Sequence, residues 1–222
     1  MSQALRTQLE QGIQALKLEL APAQVDLLMS FMDLLQKWNK VYNLTSVRDP
    51  QEMLTHHLLA SLTAVPALLR HVNTLPVEEG KRLPLLDVGS GGGLPGVVFA
   101  ICCPQIDVNC VDTVGKKAAF IQQVAASLRL PNLHGIHDRV ENLKTQYPVI
   151  SCRAFASLVD FTTWSRKALA DGGIWFAMKA KHPDEEIAAL PADVQVFHVE
   201  PLQVPGLDAE RCIVWMRPAA AG

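Results

Sequence analysis

The run Asp87-Val88-Gly89-Ser90-Gly91-Gly92-Gly93-Leu94-Pro95-Gly96 is the part of this chain best suited to holding a small molecule. It follows one short apolar run and opens another, so it reads as a glycine-rich turn from a strand into a helix. Glycines there allow positive φ and let a ligand lie against bare backbone. Two ligand classes fit the letters. Gly91, Gly93 and Gly96 match G-x-G-x-x-G, the dinucleotide pattern. Asp87, Gly89 and Gly91 match D-x-G-x-G, the loop that receives S-adenosylmethionine. Charge separates the two: a pyrophosphate needs N–H donors and a helix N-terminus with no anion nearby. The ammonium and sulfonium of S-adenosylmethionine are instead attracted by a carboxylate such as Asp87.

Asp112 ends the next apolar run, 23 residues after Gly89. An acidic side chain there accepts hydrogen bonds from ribose hydroxyls, a feature both ligand classes share. Asp138-Arg139-Val140-Glu141 stands at a third strand end, where Val140 can pack on an adenine and Asp138 or Glu141 can face its edge. A fourth strand end, Ile150-Ser151-Cys152-Arg153-Ala154-Phe155-Ala156, faces the methyl donor in sheets of this kind. It lacks the Asn/Asp-Pro-Pro-aromatic turn usual for transfer to an exocyclic amine. Cys152 could serve as the nucleophile for transfer to pyrimidine C5, or be a small buried packing residue. Transfer to an aromatic ring nitrogen such as guanine N7 needs neither nucleophile nor base, only alignment and exclusion of water. Arg153 could then donate to guanine O6 or hold the donor's carboxylate. A catalytically silent nucleotide- or RNA-binding module is the alternative outside enzymes. His56-His57 and His134/His137 have no cysteine or second acidic cluster around them and read as structural or surface residues, with no metal site.

These residues need elements to carry them. Residues 1–70 read as three helices. Leu5, Leu9, Ile13, Leu16 and Leu20 recur at three- to four-residue steps, then Pro22 opens a second stripe through Val25, Leu28, Met32, Leu35 and Trp38. Asp49-Pro50-Gln51-Glu52 is a helix start whose helix should run to about Val65. Residues 71–82 form a connector. Beyond it seven short strands are expected: Leu83–Val88, Val108–Asp112, Leu133–Ile136, Val149–Cys152, Gly173–Lys179, Val194–Val199 and Arg211–Met216. Helices alternate with the first of them, notably Gly96–Cys103, Lys116–Leu128 and Leu158–Leu169. That pattern is an α/β protein with a seven-stranded, mostly parallel sheet covered on both faces and one antiparallel pair at its end. Ala219 to Gly222 is a tail.

The 222 residues carry 20 Lys and Arg against 22 Asp and Glu, and 49% are apolar. That excludes disorder and a fibrous coil. The longest nearly unbroken apolar stretch, Leu94 to Cys103, is too short to span a bilayer, and Met1 to Glu10 has no signal pattern. A cytoplasmic protein with five thiols is the expectation, and no self-complementary apolar seam argues against a monomer. The net charge is near zero, so a polyanionic partner must meet a local patch. Residues 81–190 hold 12 Lys and Arg against 10 Asp and Glu. Arg139, Arg153, Lys179 and Lys181 fall just beyond strand ends, and Lys116 and Lys117 open the helix after Asp112. Such a rim suits a phosphate-bearing substrate.

Several of these segments together are specific. Lys37-Trp38-Asn39-Lys40-Val41-Tyr42-Asn43-Leu44-Thr45-Ser46-Val47-Arg48-Asp49-Pro50, the glycine loop with its Gly-Leu-Pro-Gly ending, Arg139-Val140-Glu141, Arg153-Ala154-Phe155-Ala156-Ser157-Leu158 and Val204-Pro205-Gly206-Leu207-Asp208-Ala209-Glu210-Arg211 occur in order. The chain thereby resembles the RsmG/GidB family of bacterial 16S ribosomal RNA guanine-N7 methyltransferases. The resemblance implies a class I (Rossmann-like) methyltransferase sheet over residues 83–222, an N-terminal helical extension over 1–70, S-adenosylmethionine as donor, and 16S ribosomal RNA or the small subunit as substrate. It further implies that Gly89, Leu94, Val140, Glu141 and Arg153 line the donor pocket, with Arg139 and Arg211 toward the RNA. Cys152 stands where the family usually has serine, and Ala60 where it commonly has aspartate.

Overall fold

The computed structural model describes residues 2–220; Met1 and the end of the expected tail, Ala221 and Gly222, lie outside them. The N-terminal region is helical for the reasons its periodicity suggests. In α1 (Gln3–Ala15) Leu5, Leu9 and Ile13 turn inward, and the Ser2 hydroxyl caps the start by accepting from the Leu5 N–H. α2 (Pro22–Tyr42) carries Pro22 in its first turn and buries Val25, Leu28, Met32 and Leu35. The Asp49 carboxylate accepts from the Gln51 and Glu52 N–H groups and so opens α3 (Pro50–Met53).

The helix expected to continue to Val65 does not stay regular. It widens into a π-helical turn at Leu54–Leu59 and closes with α4 (Ala60–Leu62). Pro66 does not end a helix; it sits in the first turn of a new one, α5 (Val65–Val72), where a missing N–H costs nothing.

The sheet contains β1 (Leu83–Val88), β2 (Ile106–Asp112), β3 (Leu133–His137), β4 (Tyr147–Arg153), β5 (Leu169–Lys179), β6 (Val194–Leu202) and β7 (Arg211–Pro218), in the order β3-β2-β1-β4-β5-β7-β6. The first five pair in parallel, and β7 lies antiparallel between β5 and β6. Insertion of β7 between its neighbours makes two antiparallel pairs rather than one. Between the strands run α6 (Gly96–Cys102), α7 (Gly115–Leu128), α8 (Leu158–Ser165) and the short α9 (Asp184–Ala188). α8 stops four residues before the expected Leu169. A 3-10 turn, Arg166–Ala168, intervenes and β5 already begins at Leu169, opposite Tyr147.

β1 is buried on both faces, as an apolar run in a parallel sheet must be. Its alternate residues enter different cores. Leu83 and Leu85 join the cluster shared with the N-terminal helices, α6 and α7; Leu86 and Val88 join the cluster under α8. Strand order reverses between β1 and β4, where open α/β sheets bind ligands outside the strand carboxyl ends. Asn132 fastens α6 to β2 from within: its buried amide donates to the carbonyls of Ala100 (2.9 Å) and Ile106 (3.1 Å). Asn132→Ala leaves both acceptors without that partner. Denaturant melts should show a loss of about 1–3 kcal/mol, with no change in the fold's circular dichroism.

Candidate active site

The turn after β1 is shaped by backbone hydrogen bonds and one buried carboxylate. The Gly89 N–H donates to the Val111 carbonyl (2.9 Å), and the Gly93 and Leu94 N–H groups both donate to the Ser90 carbonyl. Gly89 has φ +66°, and a Cβ there would stand 2.2 Å from the Phe155 ring, so a side chain is excluded twice over. Gly96 starts α6 against the sheet, where a Cβ would meet Cys110 Sγ at 2.4 Å. That contact lets the Gly96 N–H donate to Asp87 Oδ2 at 3.0 Å. Asp87 Oδ1 accepts from the Ser151 hydroxyl at 2.8 Å.

Asp87 is wholly buried and does not face either cavity described below. Its place in the sequence suggested a carboxylate meeting a ligand's positive charge; the structure instead closes both oxygens against protein donors. Burial pushes its pKa up to about 7, against the pull of the Ser151 and Gly96 hydrogen bonds and the charge of Arg153. Leu94, expected in the ligand pocket, packs into the core cluster with the N-terminal helices.

A cleft of about 490 Å³ lies beside Gly89 over the ends of β1, β2 and β3. Asp112 forms its acidic end. Its two oxygens accept from the Gly91 N–H (3.1 Å) and the Val114 N–H (2.9 Å), which fixes the carboxylate while leaving lone pairs for a ligand. Lys117 Nζ stands 3.9 Å away. Val140 is a buried apolar wall residue, and Glu141 and Arg139 are exposed at the rim. Asp138 also borders the cleft, but its Oδ1 accepts from the Arg139 N–H and the Asn142 amide, both at 2.7 Å. It therefore builds the 3-10 turn Val140–Asn142. Phe155 and Trp164, in edge-to-face contact, complete the cleft. The exposed Lys116 lies next to Lys117 at the start of α7.

A second cavity of about 660 Å³ opens over the ends of β4, β5 and β7, and Ala154 borders both. Arg153, expected to line one pocket with Gly89, Val140 and Glu141, is partly buried and borders this cavity and not the smaller cleft. Its Nη1 donates to the His56 and His57 carbonyls (3.2 and 3.4 Å) and to Ser61 Oγ (3.4 Å), and its Nη2 contacts His57 Nδ1 at 3.1 Å. Burial lowers Arg153 to about 10, so it remains charged at neutral pH. Burial and the Arg153 charge together lower His57 to about 4, so that ring is neutral. His57 was expected to be structural or superficial. Nothing in a lone His-His pair signals otherwise; its partner lies 96 residues away.

Two further expectations change. Lys179, read as a rim cation for a polyanion, is held by Glu186 at 2.7 and 3.0 Å and by the Ala156 carbonyl. Glu186 also accepts from the Leu158 N–H, so the pair ties β5, α8 and α9 together. Cys152 lies in the core cluster under α8 and borders neither cavity, and burial pushes its thiol far up. A thiol so placed cannot attack a pyrimidine, which removes the C5 reading. Arg211, Lys181 and His182 line the second cavity. No group of His, Cys, Asp and Glu able to hold a metal occurs among the described residues.

A family model described as rRNA small subunit methyltransferase G matches residues 24–214. Proteins named ribosomal RNA small subunit methyltransferase G from Acidovorax sp. (strain JS42) and Polaromonas naphthalenivorans (strain CJ2) are 68% and 60% identical over 214 and 218 residues. They are matched over 96% and 98% of this chain and 95% and 98% of their own length. Among solved structures, TrmN from Thermus thermophilus superposes with a TM-score of 0.53 at 17% identity, covering 75% of this chain and 53% of that one. Magnesium protoporphyrin IX methyltransferase from Synechocystis PCC 6803 with bound SAM gives 0.56 at 11% identity, covering 85% and 97%. These likenesses are of fold: the seven-stranded sheet of class I methyltransferases.

The loop yields two tests. Asp87 has a folded pKa of about 7 against an ordinary 3.8. A raised carboxyl stabilises the fold below the unfolded value and loses that contribution as pH rises through the folded one. Relative to Asp87→Asn, wild-type stability should fall between pH 3.8 and about 7 by on the order of 1.4 kcal/mol per unit and then level off. Denaturant midpoints across that range measure it. Gly89→Ala should destabilise the fold by about 1–3 kcal/mol through the left-handed backbone and the Phe155 clash, read as a lowered melting temperature.

Proposed function

The chain belongs to the family of small-subunit ribosomal RNA methyltransferases G, and we propose that it transfers a methyl group from S-adenosylmethionine to N7 of a guanine in 16S ribosomal RNA. It is an S-adenosylmethionine-dependent methyltransferase of ribosomal RNA, with 16S RNA or the small subunit as partner. The observation that carries the N7 reading is the pairing of the two cavities. They share Ala154 beside the bare Gly89 backbone; one ends on a fixed carboxylate, Asp112, and the other holds a charged Arg153. The residues present fit the donor: a backbone cradle where a Cβ has no room, an apolar wall at Val140, and an acidic acceptor for ribose hydroxyls.

In this reading Asp112 receives the ribose hydroxyls, kept rigid by the Gly91 and Val114 N–H groups, and Val140 packs under the adenine. Glu141 stands at the rim of the adenine end. Held by Gly89, Asp112 and Val140, S-adenosylmethionine would supply a methyl group carried on positively charged sulfur. Guanine N7 presents a lone pair without losing a proton, so the protein's task is alignment. Arg153, next to the shared Ala154, either holds the donor's carboxylate or donates toward guanine O6, and Phe155 covers the junction against water. Arg139, Lys116 and Arg211 meet RNA phosphates around the mouths; Lys179 acts through Glu186 as a brace. One chain forms both cavities, which suits a monomer. No described helix is long and apolar enough to cross a membrane, and ribosomal RNA as substrate fits work in the cytoplasm. The helical extension 1–70 supplies one wall of the acceptor cavity through His56 and His57.

Label from S-adenosylmethionine should appear on unmodified small-subunit RNA, at a site cleaved by chemistry specific for N7-methylguanine. Label on another base or atom refutes the N7 assignment. S-adenosylhomocysteine at about 100 times its Kd should stabilise the protein by roughly 2.7 kcal/mol, and NAD should not. Asp112→Ala should weaken S-adenosylhomocysteine binding about ten- to a hundredfold in calorimetry, while Cys152→Ser leaves the rate unchanged.

A further inference from the structure

We propose that Trp164 closes the outer side of the smaller cleft and stacks on the adenine of S-adenosylmethionine. The inference rests on assigning that cleft to the donor. Trp164 is 39% exposed, although Phe161, Thr162 and Ser165 around it in α8 are buried. It borders the smaller cleft and not the larger cavity. The other three tryptophans have partners within the fold. Trp175 and Trp215 donate their indole N–H groups to Ser165 Oγ (2.9 Å) and Glu200 Oε2 (3.3 Å), and Trp38 packs on Phe120 with 5.4 Å between ring centroids. Trp164 meets the Phe155 ring edge to face at 5.9 Å. Such a contact covers only part of an indole, and the rest is left to the cleft.

The backbone that carries this ring is fixed at both ends. Ser157 caps α8 by accepting from the Asp160 N–H at 3.1 Å. The Thr162 and Ser165 hydroxyls donate back to the Leu158 and Phe161 carbonyls at 2.9 and 2.5 Å. The Trp175 indole then ties Ser165 to β5, and Arg166 Cζ stands 5.4 Å from the centre of the same Trp175 ring. Phe155 is seated as firmly, against Gly89, where a Cβ would stand 2.2 Å from its ring. Two aromatics thus run from the glycine turn to the rim of the cleft. The exposure of Trp164 belongs to an ordered helix and not to a frayed one.

The lining of the cleft says which part of a ligand the ring meets. Asp112 is the acceptor for ribose hydroxyls, and the large apolar surfaces are those of Val140, Phe155 and Trp164. In S-adenosylmethionine the amino-acid end and the sulfur are charged, so adenine is the part that seeks apolar faces. A purine has two of them. Val140, buried in the wall, serves one. Trp164 has the area and the π-surface to serve the other, and stacking of a base on an aromatic ring is among the stronger contacts a single side chain makes. An RNA base is the rival occupant. Charge speaks against it, because Trp164 shares its cleft with the acidic Asp112, Asp138 and Glu141, whereas Arg211 and Lys181 border the other cavity.

The test follows wild type, Trp164→Phe and Trp164→Ala by calorimetry and fluorescence, with S-adenosylhomocysteine as the probe. Trp164→Ala should raise its Kd roughly five- to a hundredfold. Trp164→Phe keeps a flat ring and should stay within about threefold of wild type. The KM for S-adenosylmethionine should rise with that Kd, while kcat at saturating donor stays within about threefold, the signature of lost uniform binding. Indole emission of the wild type should change as S-adenosylhomocysteine binds, and Trp164→Phe should bind it without most of that change. Three results would overturn the proposal: a wild-type Kd in Trp164→Ala, an emission change that survives in Trp164→Phe, or a raised KM for small-subunit RNA with S-adenosylhomocysteine affinity intact, which gives the ring to an RNA base. If wild-type protein binds no S-adenosylhomocysteine, the donor reading of the cleft fails and this proposal with it. Binding that leaves the Trp164 emission unmoved overturns the proposal alone.

Discussion

The buried carboxylate of Asp87 is the constraint on which the site's geometry depends. It sits at the end of β1 and takes one hydrogen bond from α6, through the Gly96 N–H, and one from β4, through Ser151. Those two bonds set the distance between the strand that begins the glycine turn, the helix that ends it and the neighbouring strand that carries Arg153. Desolvation works against the arrangement, and the raised pKa shows that it outweighs the two donors and the Arg153 charge. The cost is tolerable because a protonated Asp87 can still accept from Gly96. The small size of Gly96 is what lets the bond form, since any Cβ there would collide with Cys110.

The placement of site residues at strand ends was legible because a parallel sheet leaves little choice. Short apolar runs name the strands, and the residues that follow each run lie at the carboxyl edge, so Asp112 and Val140 come out around the smaller cleft and Arg153 at the larger cavity beside it. What the sequence leaves open is where a side chain at that edge points. Asp87 alternates with Leu86 and Val88 and so faces α6, a matter of strand parity that also places Leu83 and Leu85. Lys179 looks like any rim cation until α9 folds back and delivers Glu186 to it. The irregular stretch at Leu54–Leu59 carries no breaker residue, and the distant Arg153 that fits it cannot be seen from residues 54–59. The start of that helix was legible because Asp49-Pro50 acts locally, whereas the π-helical turn accompanies tertiary contacts.

Charge around the openings follows the same division between braced and available groups. A nearly neutral protein attracts a polyanion only where cations are not already paired. Glu186 neutralises Lys179, and Asp112 draws on Lys117 from 3.9 Å. Arg139 and Lys116 remain exposed near the smaller cleft, and Lys181 and Arg211 border the larger one. The cations therefore encircle both mouths rather than forming one stripe, which suits a folded RNA presenting a single base more than a strand laid along a groove.

The shifted groups near the two cavities share a direction that bears on mechanism. Burial moves His57 down to about 4 and Arg153 down only to about 10, while it moves the Cys152 thiol up. Each is thereby held in one protonation state at neutral pH: a neutral ring, a cation and a thiol. A general acid or base works best with a pKa near the operating pH. Among these shifted groups Asp87 has such a value, and its two oxygens are closed off from both cavities. These groups serve fixed geometry, with Asp112 held by two N–H groups and Arg153 by carbonyls, a hydroxyl and an imidazole. A reaction at a ring nitrogen that already offers its lone pair asks for that kind of site, and one that must first remove a proton does not.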